Sequence, residues 1–493
     1  MKVVLHTILR FLWGYPKFGC DELAGPYNVS SLVRVRLPGS VAATIQYPAD
    51  ASPQARDGNE KGRVRRRPAA YWSEDATRGI ADYTGSPLAV FLPLAAAYHP
   101  STPRAPPLVP PPPPPPPPEG EDGSGYSNSN SNSNSGKWPV VIFSHGLAGC
   151  ADMYTDLCRQ LASLGYIVVA LEHEDGSGVH ARTTEGTLVR YKRPDESPYS
   201  REKVKSFRAP FLSQRVAELE SALDLFQPPR GATSSGELVV CPPGEDESGD
   251  GVHGVDGGDE GSEGRGDAMG HALAEVLQLA DRNGAVLVGH SFGAASAILA
   301  AQHLSSQSSH YSSSSSSSSS PPAAAPQAAP PPLRLVVACD PWCFCLDDSL
   351  LDRSTGQQGQ EGTPPPVLCL LSEEWVGNKE RFAVDALLRA THRRGRLRAC
   401  YEMPGTVHQS ASDTPLWLPG RLAERLRMKG HGEDGGRTHR AAAEAIHEQV
   451  VAAASREAGA ATAASPQSSL RFGGVAARYP DQLREFTGWV LQR

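Results

Sequence analysis

Val286-Leu-Val-Gly-His-Ser-Phe-Gly-Ala-Ala295 is the stretch on which the fold turns. A short apolar run enters Gly289-His290-Ser291-Phe292-Gly293, and small, helix-compatible residues leave it. This is the G-x-S-x-G pattern in a strand, turn and helix setting. Such a turn strains its central residue, and glycines two positions to either side let strand and helix pack closely around it. Ser291 Oγ is expected to stand at the carboxyl edge of a sheet, by a helix N-terminus that favours developing negative charge. A tight turn with a structural serine would carry the same five letters, so the flanking sequence has to decide.

Working outward, apolar runs of strand length alternate with helical patterns. Trp138–Phe143 reads as a strand. A helix follows from about Asp152, with Tyr154, Leu157, Cys158, Leu161 and Leu164 at helical spacing and Gly165 as its stop. Ile167–Leu171 is the next strand. Phe211–Phe226 and Ala268–Ala280 read as helices, and Val286–Val288 is the strand before the turn. A helix to about Leu304 and strands at Leu335–Ala338, Val367–Leu371 and Leu397–Tyr401 complete the pattern. Near-continuous apolar strands separated by helices imply a mostly parallel central sheet with helices on both faces. Ligands of such sheets gather at the carboxyl ends of the strands.

Two further strand ends carry chemistry. Val336-Val-Ala-Cys-Asp340 places an acid directly after a buried strand, and Leu397–Tyr401 leads into Pro404-Gly-Thr-Val-His408. Ser291, Asp340 and His408 thus follow the Ser…Asp…His order of the α/β-hydrolase fold. In that reading His408 takes the serine proton and returns it to the leaving alcohol, while Asp340 fixes the imidazole tautomer. Glu373 and Glu374, ending a neighbouring strand, are the alternative acid; Asp347, Asp348 and Asp413 are weaker competitors. An oxyanion needs two backbone N–H groups. Phe292 supplies one, and Leu147 in Phe143-Ser-His-Gly-Leu-Ala-Gly149 is the choice for the other.

The chain has 493 residues, but much of it is low-complexity. Pro110–Pro118, the Ser-Asn alternation of Ser127–Ser135, the acidic Gly-rich Gly244–Asp267 and the serine run Ser312–Ser320 cannot offset their ordering entropy by burial. Setting aside the wider insertions that they mark leaves one decorated domain of roughly 300 to 350 residues. Residues 1–97 form its N-terminal part and 98–137 a Pro/Ser/Asn-rich insertion. Residues 138–493 hold the main body, with insertions near 228–267, 305–332, 353–364 and 430–470.

A net charge of −7 without a sustained basic face argues against a nucleic-acid partner. Arg63-Val-Arg-Arg-Arg67 reads as a solvated loop before it reads as an anionic-lipid contact. Nine cysteines form no regular framework, which points to a reducing, cytoplasmic setting, peripheral to membranes if attached at all. No stretch approaches the roughly 20 apolar residues of a membrane span. Met1–Gly14 makes a poor secretory signal; secretion is the alternative, and only then would the Asn28-Val-Ser30 sequon matter. No cofactor or metal is expected, because no carboxylate cluster resembles a calcium or zinc site, so activity should survive EDTA.

Seven segments together resemble the platelet-activating factor acetylhydrolases, the group VII phospholipases A2 of plasma and intracellular type II form. They are Gly25-Pro-Tyr-Asn-Val-Ser30, Phe143-Ser-His-Gly-Leu147, Glu172-His-Glu-Asp-Gly-Ser177, Gly289-His-Ser-Phe-Gly293, Cys339-Asp-Pro-Trp342, Leu371-Ser-Glu-Glu374 and Thr406-Val-His-Gln409 with Asp413. The resemblance implies an α/β-hydrolase that cleaves the sn-2 acetyl, short or oxidised acyl ester of phospholipids at a lipid surface without calcium. It implies the Ser291, Asp340 and His408 roles and the Leu147 and Phe292 amides, and it sets Glu373 back as the acid. Ala294-Ala295 and the long insertions depart from the family pattern. A generic carboxylesterase, or an inactive binding protein on the same scaffold, is the competing reading.

Overall fold

The computed structural model describes residues 22–50, 70–111, 136–194, 200–226, 263–313, 333–346, 365–377, 381–393, 397–459, 478 and 484–485. Asp347, Asp348, the Arg63–Arg67 cluster, Met1–Gly14 and the insertion at 353–364 lie outside them.

Twelve strands are described: β1 (Asn28–Arg36), β2 (Ala42–Ala49), β3 (Thr102–Pro103), β4 (Trp138–Ser144), β5 (Ile167–Leu171), β6 (His180–Arg182), β7 (Leu188–Arg190), β8 (Ala280–His290), β9 (Leu333–Cys339), β10 (Val367–Ser372), β11 (Leu397–Met403) and β12 (Arg484–Glu485). Ten form one sheet in the order β12-β11-β10-β9-β8-β4-β5-β2-β1-β3. From β5 through β4, β8, β9 and β10 to β11 all neighbours are parallel. The chain goes from β4 to β5 on one side and later returns to β8 on the other. That reversal opens a crevice between the carboxyl ends of β4 and β8, where an open α/β sheet binds its ligand.

The parallel strands read as unbroken apolar runs because both faces are covered. In β4, Val140 and Ile142 join one core cluster, and Val141 and Phe143 join the other. Helices α1 (Glu74–Thr84) and α2 (Leu92–Ala96) precede β4 in the chain, and α7 (Glu373–Val376) and α9 (Gly420–Arg425) follow β10 and β11. The first cluster packs against α4 (Arg201–Asp224), α6 (Phe292–Ser313) and α8 (Arg381–Arg393) through Leu219, Ala297 and Leu388. The second packs against α3 (Thr155–Ser163) and α10 (Gly435–Gly459) through Leu161 and Ile446. The expected α/β-hydrolase fold is thus present. No helix among the described residues is long and apolar enough to cross a membrane.

Four expected insertions are shorter than composition suggested. Within 98–137, Thr102–Pro103 pairs with β1, Tyr47 Oη donates to Ala105 O at 2.8 Å, and Trp138 Nε1 donates to Leu108 O at 2.7 Å. Proline keeps its carbonyl acceptor, so this Pro-rich segment can still edge a sheet. Within 430–470, α10 buries Ala441, Ala443, Ala445 and Ile446, and its His439 pairs with Asp156 at 3.0 Å. Alanine is the best helix former and its small side chain lets helices approach, so an Ala-rich segment with a buried stripe is core rather than filler. Within 305–332, α6 continues to Ser313; Ser305 Oγ donates back to Ala301 O at 2.8 Å, which satisfies a serine hydroxyl inside a helix. Likewise α5 (Glu263–Gln278) begins inside the tract expected at 228–267.

In sequence, residues 314–332 lie between Ser313, the end of α6, and Leu333, the amino end of β9, and that end of β9 is opposite the crevice. Deleting 314–320 is therefore expected to leave turnover and melting temperature nearly unchanged, since closure entropy varies only logarithmically with loop length. A drop of several degrees in a thermal melt would make the tract structural.

Candidate active site

β8 delivers Ser291 to the crevice on a left-handed turn, with φ +57° at a residue that carries a Cβ. A strained conformation of this kind persists only where its surroundings enforce it. The enforcement is steric. A Cβ on Gly289 would lie 2.3 Å from Gly293 O, and one on Gly293 2.1 Å from Ser144 O. Only glycine lets α6 start so close to β8 and β4. Ser291 N–H also donates to Cys339 O at 2.9 Å, tying the turn to the end of β9.

The neighbouring strand ends complete a hydrogen-bonded chain. Ser291 Oγ lies 3.1 Å from His408 Nε2, and His408 Nδ1 lies 3.1 Å from Asp340 Oδ2. Asp340 is buried and doubly held, accepting from Ser372 N–H at 2.7 Å and Ser372 Oγ at 2.6 Å. Trp375 stacks on the His408 ring with centroids 4.1 Å apart and planes at 14°. An imidazole so held can accept the hydroxyl proton from one side while the carboxylate fixes its tautomer from the other.

Leu147 follows β4 and Phe292 follows Ser291, so both stand just past the carboxyl ends of the paired strands β4 and β8. No acceptor among the described residues takes either N–H. Gly146 and the loop around it are fixed by a relay that the sequence did not suggest. Gly146 N–H donates to Tyr154 Oη at 3.0 Å, Tyr154 Oη donates to His290 Nδ1 at 2.9 Å, and His290 Nε2 donates to His408 O at 2.9 Å. Burial holds the imidazole of His290 neutral by pulling it well below its ordinary range, so one nitrogen accepts while the other donates. One tyrosine hydroxyl thereby sets the β4 loop, the serine turn and the histidine loop in common register. Tyr154→Phe is expected to lower kcat by roughly tenfold or more, since it loses two neutral hydrogen bonds worth about 0.5–1.5 kcal/mol each, with KM little changed. An unaltered kcat would show that packing alone holds the three segments.

The Glu172-His-Glu-Asp-Gly-Ser177 segment builds the floor beneath this loop. Arg215, fully buried, donates to Asp175 Oδ2 at 3.0 Å, to Ser177 Oγ at 2.6 Å and to His145 O. Ala148 N–H then donates to Ser177 O at 2.7 Å. A buried guanidinium paired with a carboxylate and saturated with acceptors fixes its neighbours, at the risk that losing either partner strands a charge.

The remaining acids fall elsewhere. Glu374 Oε2 accepts from His408 N–H at 2.8 Å, and Glu373 Oε2 from Gly405 N–H at 2.7 Å, so both brace the histidine loop through its backbone. Neither takes the place at Nδ1. Asp413 accepts from Tyr71 Oη, Thr155 N–H and Asp156 N–H at 2.8, 2.9 and 3.0 Å. Burial pushes its carboxyl up to about 7. Tyr154, His290, Ser372 and Trp375 were missed as site residues, since nothing in their spacing separates them from core.

Sheet order, strained serine turn and Ser–His–Asp chain define an α/β-hydrolase. The sequence profile of the family described as platelet-activating factor acetylhydrolase, isoform II, matches residues 123–236 and 270–448. The chain belongs to the platelet-activating factor acetylhydrolase family. Platelet-activating factor acetylhydrolase of Bos taurus is 51% identical over 41 residues, 8% of this chain and 9% of that protein. The Cavia porcellus counterpart is 22% identical over 303 residues, 60% of this chain and 52% of that protein. The chain thus spans at most about half the length of these curated relatives. Among solved structures, a ferulic acid esterase from Streptomyces cinnamoneus superposes with a TM-score of 0.46 at 17% identity, covering 86% of this chain and 89% of its own.

Proposed function

We propose that this protein is a serine esterase that hydrolyses the sn-2 acetyl or short or oxidised acyl ester of glycerophospholipids, as a 1-alkyl-2-acetylglycerophosphocholine esterase does. The observation that carries the reading is the Ser291–His408–Asp340 chain at the sheet's switch point in a member of this family. Ser291 Oγ attacks the ester carbonyl as its proton passes to His408 Nε2. The carbonyl oxygen, now negative, is received by the N–H groups of Leu147 and Phe292. His408 returns the proton to the departing lysophospholipid hydroxyl. Water, deprotonated by the same imidazole, then releases the acid and restores Ser291. No step places a cation at the reacting atoms, so turnover should not depend on added calcium or on its chelator EGTA.

The substrate is met at a membrane or lipid surface, with nucleic acid playing no part. A turnover series over phosphatidylcholines of increasing sn-2 length, beside a water-soluble ester, tests the reading. Preference for acetyl and short chains on the phospholipid supports it. Equal or faster turnover of the soluble ester would make the chain a general carboxylesterase. Failure of a fluorophosphonate to label Ser291 would leave only a binding role.

A further inference from the structure

Behind the Gly146–Gly149 loop lies a second polar cluster that the ester chemistry does not use. Cys150 Sγ, a carboxylate oxygen of Glu172 and a ring nitrogen of His180 lie within 4.8 Å of one another, all buried. The three residues come from three segments: the end of the loop, the end of β5 and the start of β6. Glu172 Oε2 accepts from Ala151 N–H at 3.1 Å, but Oε1 has no hydrogen-bond partner among the described residues. His145 Nε2 stands 3.6 Å from it. His180 Nδ1 is also without a partner there, as is Oδ1 of the adjacent, buried Asp152, whose other oxygen is held by Arg34. Buried polar atoms left unpaired cost free energy, and several converging on one spot call for an occupant.

We propose that Cys150, Glu172 and His180 form a binding site for a borderline divalent transition-metal ion of the zinc class. Thiolate, imidazole and carboxylate are the donor set such an ion selects, whereas calcium and magnesium take oxygen alone. Donors sharing a zinc ion at about 2.0–2.3 Å stand roughly 3.3–3.8 Å apart, so the observed cluster needs to contract by at most about 1.5 Å. Charge also balances. A thiolate and a carboxylate with a neutral imidazole offset a 2+ ion, and any proton on these donors is released as the ion binds. His180 Nδ1, without a partner among the described residues, offers a ring lone pair. Asp152 or a water molecule can complete four-coordination. The second group of potential ligands, His290, Asp340 and His408, belongs to the site already described and contains no sulfur. That difference separates the two experimentally.

The test loads the purified full-length chain with Co2+. The expected result is about one bound equivalent, a near-ultraviolet thiolate-to-cobalt absorption band, and displacement of that band by Zn2+. The band should vanish in Cys150→Ser, weaken in His180→Asn and persist unchanged in Ser291→Ala. Wild-type protein that binds no cobalt, or binds it without a thiolate band, overturns the proposal whatever the variants do. A band of full strength in folded Cys150→Ser would assign the metal to another cysteine and also overturn it. Ester turnover does not enter the readout, so the site stands or falls separately from the proposed activity.

Discussion

Replacing Ser291 with alanine is expected to lower kcat by about 10⁶-fold, the scale on which losing the nucleophile disables a serine hydrolase. The hydroxyl 3.1 Å from His408 Nε2 is the atom that forms the acyl intermediate in the proposed mechanism. Initial rates on a short-acyl phospholipid and loss of fluorophosphonate labelling check this. Retention of more than a hundredth of wild-type turnover would remove Ser291 from the mechanism. A companion variant tests the strain. At φ +57° alanine keeps the Cβ that makes left-handed backbone cost about 1–2 kcal/mol, and glycine does not. Ser291→Gly should therefore be as inactive as Ser291→Ala yet melt higher.

Asp340→Asn is expected to cost about 10⁴-fold in kcat while leaving the fold intact. Oδ2 now faces His408 Nδ1 at 3.1 Å, and both carboxylate oxygens accept from Ser372. An amide can keep its oxygen toward Ser372 only by turning its NH2 toward the imidazole, which forces the proton onto Nε2. That nitrogen can then no longer accept from Ser291. Glu374→Gln is the control: its contacts are with the His408 backbone and with Arg427, so its loss should be at least a hundredfold smaller. Equal losses in the two variants would move the acid role from Asp340 to Glu374.

The parts of the fold that were legible are those where burial leaves no choice of residue. β4, β5 and β8 to β11 are covered on both faces, so they read as apolar runs, and Ser291, Asp340 and His408 fall at their carboxyl ends. β1 and β2 gave no such signal. They bury Ser30, Ser31, Thr44 and Gln46, whose polarity is absorbed by contacts such as Ser30 Oγ to Thr102 O at 2.7 Å. Composition hid α10, because alanine-rich sequence looks like filler until its buried stripe is seen. The Tyr154–His290 relay and the Cys150–Glu172–His180 cluster were illegible for a different reason. Each joins residues from separate segments that only the β4 loop brings together, and linear spacing carries no trace of that.

The two tracts at 112–135 and 314–332 open directly ahead of β4 and β9, whereas Leu147, Ser291 and Asp340 leave the far ends of β4, β8 and β9. One edge of the sheet therefore holds the reacting atoms, and the chain enters β4 and β9 from the other. Alleles differing in the number of serines or prolines in these tracts should be interchangeable as enzymes. The same two positions are natural seams for splicing in a tag or a reporter.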